Sequence, residues 1–240
     1  MGYQSATILY STGTGNSARV AYWLSQKAKE EQVESRIESV EAHPDLQGMA
    51  KGSDHLFGFA FPTHGFTAPW HMLKFALKIP WGKGSLAFCV ATRGRVKLGR
   101  VFVPGLSGSA TFVVARFLFL RGYRIRGVNG INMPSNLYSL HPVQSRKSHG
   151  EIIGRAEYRT RQFMAKILAG RYNWFTLNNL YEATGGLLLS PISVAYLFMG
   201  RFFLAKLFFA NNDCDGCGIC AANCPVGAIR IRGKERPRPF

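Results

Sequence analysis

Acidic residues are the scarcest charged class in this chain. Thirteen Asp and Glu stand against thirty Lys and Arg in 240 residues, a formal net charge of +17. That imbalance speaks to partners rather than to fold, and it favours anionic ones: an acidic protein, an anionic membrane face, nucleic acid or a phosphorylated ligand. Cysteine is rare outside one cluster, and only Cys89 stands apart from the other four. A disulfide framework would spread them, so the clustering points to metal ligation in a reducing compartment. Cys89, inside "SLAFCVAT", reads as a small buried core residue. No apolar run of transmembrane length goes uninterrupted. The nearest, "GGLLLSPISVAYLFMGRFFLAKLFFA", is broken by Pro191, Arg201 and Lys206. Internal repeats, low-complexity tracts, a basic leader, a hydrolytic triad and a paired-carboxylate site are also missing. The expected location is cytoplasmic, with contact at the inner membrane face left open.

What is present is a core-forming composition, 47% hydrophobic, arranged in a regular rhythm. "ATILYST", "VESRIESV", "HLFGFAFP", "SLAFCVAT" and "YRIRGVNGINMP" read as strands, the second weaker and alternating in polarity. Helical patterns separate them: "NSARVAYWLSQKAKEEQ", "PWHMLKFALKI" and "SATFVVARFLFLRG", with "GRAEYRTRQFMAKILAG" closing the set. Continuous apolar strands alternating with helices predict an α/β fold, a doubly wound five-stranded parallel sheet covered on both faces. Any ligand is expected at the carboxyl ends of the strands. After Gly170 the rhythm stops. The expected organisation is a sheet domain over 1–170, an apolar helical connector over 171–210 and a cysteine-bearing segment over 211–240.

The loop "YSTGTGNS" follows the first strand and opens the first helix. Its glycines let the backbone curl, so that amide N–H groups at the helix start and short hydroxyls can serve a phosphate. It is not a P-loop, because Ser17 stands where the Lys would be. It also misses the G-x-G-x-x-G spacing, since Ala18 takes the third glycine's place. A ribose-binding acid, on that weaker reading, would be Glu38 or Glu41. The run Thr12-Gly13-Thr14-Gly15-Asn16-Ser17 resembles the phosphate loop of flavodoxins, which bind FMN. The resemblance implies a flavodoxin-like sheet whose phosphate site comprises Ser11, Thr12, Gly13, Thr14, Gly15, Asn16 and Ser17. It further implies ring walls from the loops after the third and fourth strands: Pro62, Thr63, His64, Gly65 and Phe66 on one side, Thr92, Arg93 and Gly94 on the other. Phe66 or Trp70 is placed to stack on the ring. Arg93 or Arg95 about 6 Å from the ring would favour its reduced anion by about 3 kcal/mol at an effective dielectric near 20, so the flavin is expected to be less reducing than a flavodoxin's.

Near the end, Cys214, Cys217, Cys220 and Cys224 stand as C-x2-C-x2-C-x3-C before Pro225. Four thiolates in so short a span, closed by Cys-Pro, favour a 4Fe–4S cluster over zinc, and the spacing is half of a two-cluster ferredoxin-like pattern. Together the two parts resemble flavodoxin–ferredoxin fusion proteins of the kind labelled EFR1-type, in which a second cysteine motif ordinarily follows. That resemblance implies FMN and a 4Fe–4S cluster exchanging electrons, and the basic balance of the chain leads us to expect an acidic redox protein as partner. The alternative is an FMN-dependent reductase acting directly on a quinone, nitro compound or similar small acceptor. For Cys224 three readings stand: a second motif lost beyond Phe240, a homodimer in which each Cys224 serves the partner's cluster, or closure of its own cluster. The connector is expected to pack the cluster loop against the flavin domain, the other reading being an amphipathic segment on an anionic membrane surface. No nucleic-acid reader module is recognisable.

Overall fold

The five expected strands form: β1 (Ser5–Tyr10), β2 (Glu34–Ser39), β3 (His55–Pro62), β4 (Leu86–Leu98) and, after a short β5 (Val101–Val103), β6 (Arg124–Pro134). They lie in the order β2-β1-β3-β4-β6 and are mutually parallel, while β5 runs antiparallel to the end of β4. This is the flavodoxin-like order, which reverses between β1 and β3 and leaves a crevice at the carboxyl ends of those strands. The computed structural model describes residues 2–45, 52–137, 141–207, 209–224, 226–231 and 238–239. Two compact units divide the chain, Met1–Ser190 and Pro191–Phe240.

The helices of the first unit are α1 (Asn16–Glu30), α2 (Trp70–Lys78), α3 (Ala110–Leu120), α4 (Arg146–Leu168) and α5 (Leu177–Leu188). Period-two alternation on β3 and β4 sends Leu56, Ala60, Phe88 and Val90 into one core with Val20 and Leu24 of α1 and Phe163 and Met164 of α4. Phe88 meets Phe163 edge to face at 5.5 Å. The intervening Phe57, Phe59, Phe61 and Cys89 are equally buried and point the other way, toward the side of α2 and α3. Burial pushes the Cys89 thiol well above the ordinary cysteine range, as befits an inert core residue. α4 begins at Arg146, eight residues before the expected start, because Ser145 caps it by accepting from the Ser148 N–H at 3.2 Å.

One expectation needs correction. The sequence suggests a loop at "TRGRVKLG", but β4 continues through it to Leu98 and stays paired with β6 as far as Arg95 and Pro134. Thr92, Arg93 and Gly94 are therefore strand residues. Pairing with β6 and then β5 holds the segment in the sheet, and a buried ion pair is anchored on it. Arg93, on β4, meets Glu182 of α5 through Nη1 and Oε1, with side-chain exposures of 3% and 1%. Its Nε donates to Asn132 Oδ1 at 3.0 Å and its Nη2 to Asn178 Oδ1 at 2.7 Å. The other Glu182 oxygen accepts the Ser107 and Gly108 N–H groups at 2.8 and 2.6 Å. A side chain at Gly130 would collide with this pair. Burial lowers the Arg93 pKa to about 10, which leaves the guanidinium charged at neutral pH.

α5 lies in the first unit, within the span expected to be connector. Asn179 Nδ2 donates to the carbonyls of Val128, Asn173 and Trp174 at 3.1, 2.8 and 3.0 Å, fixing the helix against β6. In the second unit, short turns of helix run from Ser190–Ala195 through a π turn, Tyr196–Gly200, to Leu204–Leu207. A one-turn helix, Ile219–Ala222, and a two-residue antiparallel pairing of Ile229–Arg230 with Arg238–Pro239 follow. Among the described residues no single helix is long and apolar enough to cross a membrane. Glu182→Ala, by leaving Arg93 charged and unpaired in the interior, is expected to cost about 3–5 kcal/mol. The double replacement Arg93→Met/Glu182→Leu removes both charges together and should recover part of that loss, the remainder being the Ser107 and Gly108 N–H groups left without their acceptor. Urea midpoints of the parent and the two variants check it.

Candidate functional site

The carboxyl ends of β1, β3, β4 and β6 are drawn together around the loop after β1. Gly15 takes φ 87° as it enters α1, a left-handed conformation suited to glycine, and no side chain caps the helix. The first N–H groups of α1 have no intrahelical acceptors, so Asn16, Ser17 and Ala18 present donors at the loop. A Cβ built at Gly13 or Gly15 would meet no protein atom within 4 Å, so the space before the loop is open. Thr12 Oγ1 accepts the Gly15 N–H at 3.0 Å and Thr14 Oγ1 accepts Asn136 Nδ2 at 2.7 Å, leaving both hydroxyl protons to donate outward. Asn136, in the loop after β6, is a residue that sequence reasoning missed. Its distance along the chain hid it.

The other hydroxyls of the motif are already engaged. Ser17 Oγ and Thr92 Oγ1 lie 2.9 Å apart and buried, tying α1 to β4. The Asn16 amide donates to the Pro134 carbonyl at 3.1 Å, tying the loop to β6. Ser11, 1% exposed, places its Oγ 2.6 Å from His71 Nε2. Ser11, Asn16 and Ser17 thus each hold a contact within the protein, whereas the Thr12 and Thr14 hydroxyls only accept and keep a proton to donate.

Glu41 completes the Ser11–His71 contact, its Oε1 lying 3.4 Å from His71 Nε2 while Oε2 accepts from Ser39 Oγ at 2.6 Å. Burial opposes its ionisation, but hydrogen bonds from His71, Ser11 and Ser39 outweigh that and hold the pKa at about 2. Glu41 thus anchors the loop's first residue through His71 and Ser11.

On the β3 side, the Thr63 N–H donates to the Thr92 carbonyl at 2.9 Å, while Thr63 Oγ1 is buried without a hydrogen-bond partner. That orphan hydroxyl sits one residue past Pro62, where a ligand in the crevice can satisfy it. His64 and Thr67 exchange both backbone hydrogen bonds, and Gly65 and Phe66 take φ 54° and 61° between them, the signature of a type I′ turn. Phe66 tolerates this because its carbonyl accepts both the Ser109 N–H, at 2.9 Å, and the Ser109 Oγ, at 3.1 Å. On the opposite wall, Gly94 is exposed but the Arg93 guanidinium is turned into the Glu182 pair. Of the two arginines expected near a ring, Arg93 has its charge paired inside the protein.

In the second unit Gly216 and Gly218 adopt φ 73° and 80°, bending the chain between Cys214, Cys217 and Cys220. The Cys217 N–H donates to Asp215 Oδ1 at 3.0 Å, which lowers the Asp215 pKa. The Ala228 N–H donates to Cys224 Sγ at 3.3 Å, a contact that stabilises a thiolate. All four cysteines are free and at least partly exposed. Among the described residues no three His, Cys, Asp or Glu side chains are gathered as ligands of one metal ion. The donor set, four thiols with an amide N–H on sulfur, suits a cluster of several irons. Pro225 lies outside the described residues.

Residues 209–230 match the family described as 4Fe-4S binding domain. Among solved structures the chain is similar to a flavodoxin of Streptococcus pneumoniae TIGR4, with 14% identity over 69% of this chain and 99% of that one and a TM-score of 0.45. It is similar also to flavodoxin 1 from Bacillus cereus, with 14% identity over 69% and 97% and a TM-score of 0.44. A third is rubredoxin oxygen:oxidoreductase from the anaerobe Desulfovibrio gigas, with 15% identity over 69% and 37% and a TM-score of 0.38. Among curated proteins none matches the chain. Strand order and motif define the class: a flavodoxin-like α/β fold followed in the chain by a match to a 4Fe–4S binding domain.

The depressed Glu41 pKa has a pH signature. Its contribution to stability is complete above the ordinary carboxyl value of 4.5 and disappears as pH falls through about 2. Glu41→Gln should therefore be less stable than the parent at pH 6, with the gap closing across that window in urea unfolding.

Proposed function

We propose that the chain binds FMN at the β1/β3 crevice and passes electrons between it and a 4Fe–4S cluster held by Cys214, Cys217, Cys220 and Cys224, as in flavodoxin–ferredoxin fusion proteins. The observation that carries the reading is the loop before α1, where Gly13 and Gly15 border open space and the Thr12 and Thr14 hydroxyls keep protons to donate. Thr12, Thr14 and the N–H groups of Asn16 and Ser17 would hold the phosphate without a basic side chain, the α1 dipole supplying the positive potential. Ser11, Ser17 and Asn16 keep the cradle in shape through His71, Thr92 and Pro134. Thr63 donates its orphan hydroxyl to the bound ligand, and the turn at Pro62, Thr63, His64, Gly65 and Phe66 walls the ring, with Gly94 opposite. When bound, the flavin joins two-electron to one-electron chemistry and the cluster carries single electrons.

The docking surface for an acidic redox partner lies around Phe102. Arg95, Lys97 and Arg155 place their charges 4.7, 5.1 and 4.3 Å from its ring centroid. Of these three, Lys97 is neutralised by Glu151 at 2.6 Å. Complementary charge there would speed association, an effect that falls with rising salt.

Anaerobically purified protein should carry one FMN and the iron of one cluster per chain, as read by visible absorbance and metal analysis. Thr12→Val and Thr14→Val should each weaken FMN binding by about 10- to 100-fold, the worth of a hydrogen bond to a charged group. Recovery of FMN fluorescence on release measures this, and an unchanged affinity in the double variant overturns the cradle. Cys217→Ser should abolish the cluster absorbance while leaving FMN in place.

A further inference from the structure

α5 is amphipathic the wrong way round for a helix bathed in water. Its buried residues are Asn179, Glu182 and Gly186, at helical spacing along one stripe. That polar stripe faces the sheet, where Arg93, the Val128 carbonyl and the Ser107 and Gly108 amides satisfy it. The apolar side chains point outward: Leu177, Leu187 and Leu188 are 87%, 79% and 78% exposed, with Leu180 and Tyr181 beside them. Rotation cannot correct this, because it would strand Glu182 and Arg93 as unpaired charges. Gly186 also lies so close to the backbone at Gly108 and Ser109 that no Cβ fits between them. A contiguous apolar face of this kind marks a surface that is covered in use.

The character of the surrounding chain says by what. From Arg171 to Phe209 the charged residues are Arg171, Arg201 and Lys206 together with one acid, Glu182. That acid is buried against Arg93, so every charge left to this stretch is positive. Tyr181, on α5 itself, and Tyr172, shortly before it in the chain, are exposed and are of the amphipathic kind that settles at a lipid headgroup boundary. The second unit continues the theme, with Phe198, Phe203 and Phe209 72%, 63% and 85% exposed. The helices here are too short to span a bilayer singly.

From these observations we infer that the outer face of α5 docks on an anionic lipid surface, its leucines entering the acyl boundary while the cations of the chain meet lipid phosphates. The inference is independent of what fills the β1/β3 crevice. The full chain as purified is to be co-sedimented with phosphatidylcholine vesicles with and without phosphatidylglycerol. Binding should be at least tenfold tighter to the phosphatidylglycerol vesicles and should weaken severalfold as salt rises from about 0.1 to about 0.5 M. Leu180→Gln/Leu187→Gln, and separately Leu188→Gln, should reduce it tenfold or more with flavin content unchanged. No sedimentation with anionic vesicles, or equal binding by the leucine variants, overturns the proposal. A concentration-dependent dimer that these variants dissolve, without lipid binding, overturns it too and assigns the face to a second copy.

Discussion

A guanidinium and a carboxylate removed from water must find each other, and in this protein the need to pair Arg93 with Glu182 organises much of the first unit. The pair joins the end of β4 to α5. It draws the Ser107–Gly108 loop onto the same carboxylate and recruits Asn132 and Asn178 to the remaining guanidinium donors. Breaking such a pair is far more costly than its formation is favourable, because each partner left alone keeps its full desolvation penalty. The register of α5 is correspondingly rigid. Its leucines face outward as a consequence of where its one acid must go.

The same pair changes the electrostatics of the crevice. An arginine beside the ring site would be a strong positive field were it free, but its charge is met inside the protein. What remains at the crevice is an array of dipoles: hydroxyls, amide N–H groups and the start of α1. Such groups bind an anion through preorganisation, and their aim depends on braces behind them. Ser11 with His71 and Glu41, Ser17 with Thr92, and Asn16 with Pro134 are those braces, each joining the loop to a different element. Within the motif the Ser11 and Ser17 hydroxyls are buried in contacts with other elements, while those of Thr12 and Thr14 keep a proton to donate.

Much of the fold was legible because it follows from short-range rules. The apolar runs at 55–62 and 86–92 are flanked by helical patterns, and strands buried on both faces have no other covering available. Gly13 and Gly15 announced the turn into α1, and the four cysteines announced a cluster by spacing alone. Less legible was "TRGRVKLG", whose charge and glycine suggested a loop. Its strand conformation depends on β6 alongside, and its Arg93 pairs with Glu182, about ninety residues away. Asn136 and His71 were invisible for the same reason, since nothing near them in the chain marks their destination.

The sequence by itself determined the alternation of strand and helix, the place of the glycine- and hydroxyl-rich loop, the four-cysteine motif and the strongly cationic balance, because local pattern and composition decide these. Only the tertiary structure decided which hydroxyls remain available, where the Arg93 charge is spent and which face of α5 meets the surroundings. Those outcomes turn on pairing between residues far apart in the chain, where the cost of burying a charge or a hydrogen-bonding group selects one arrangement among many that the local pattern allows.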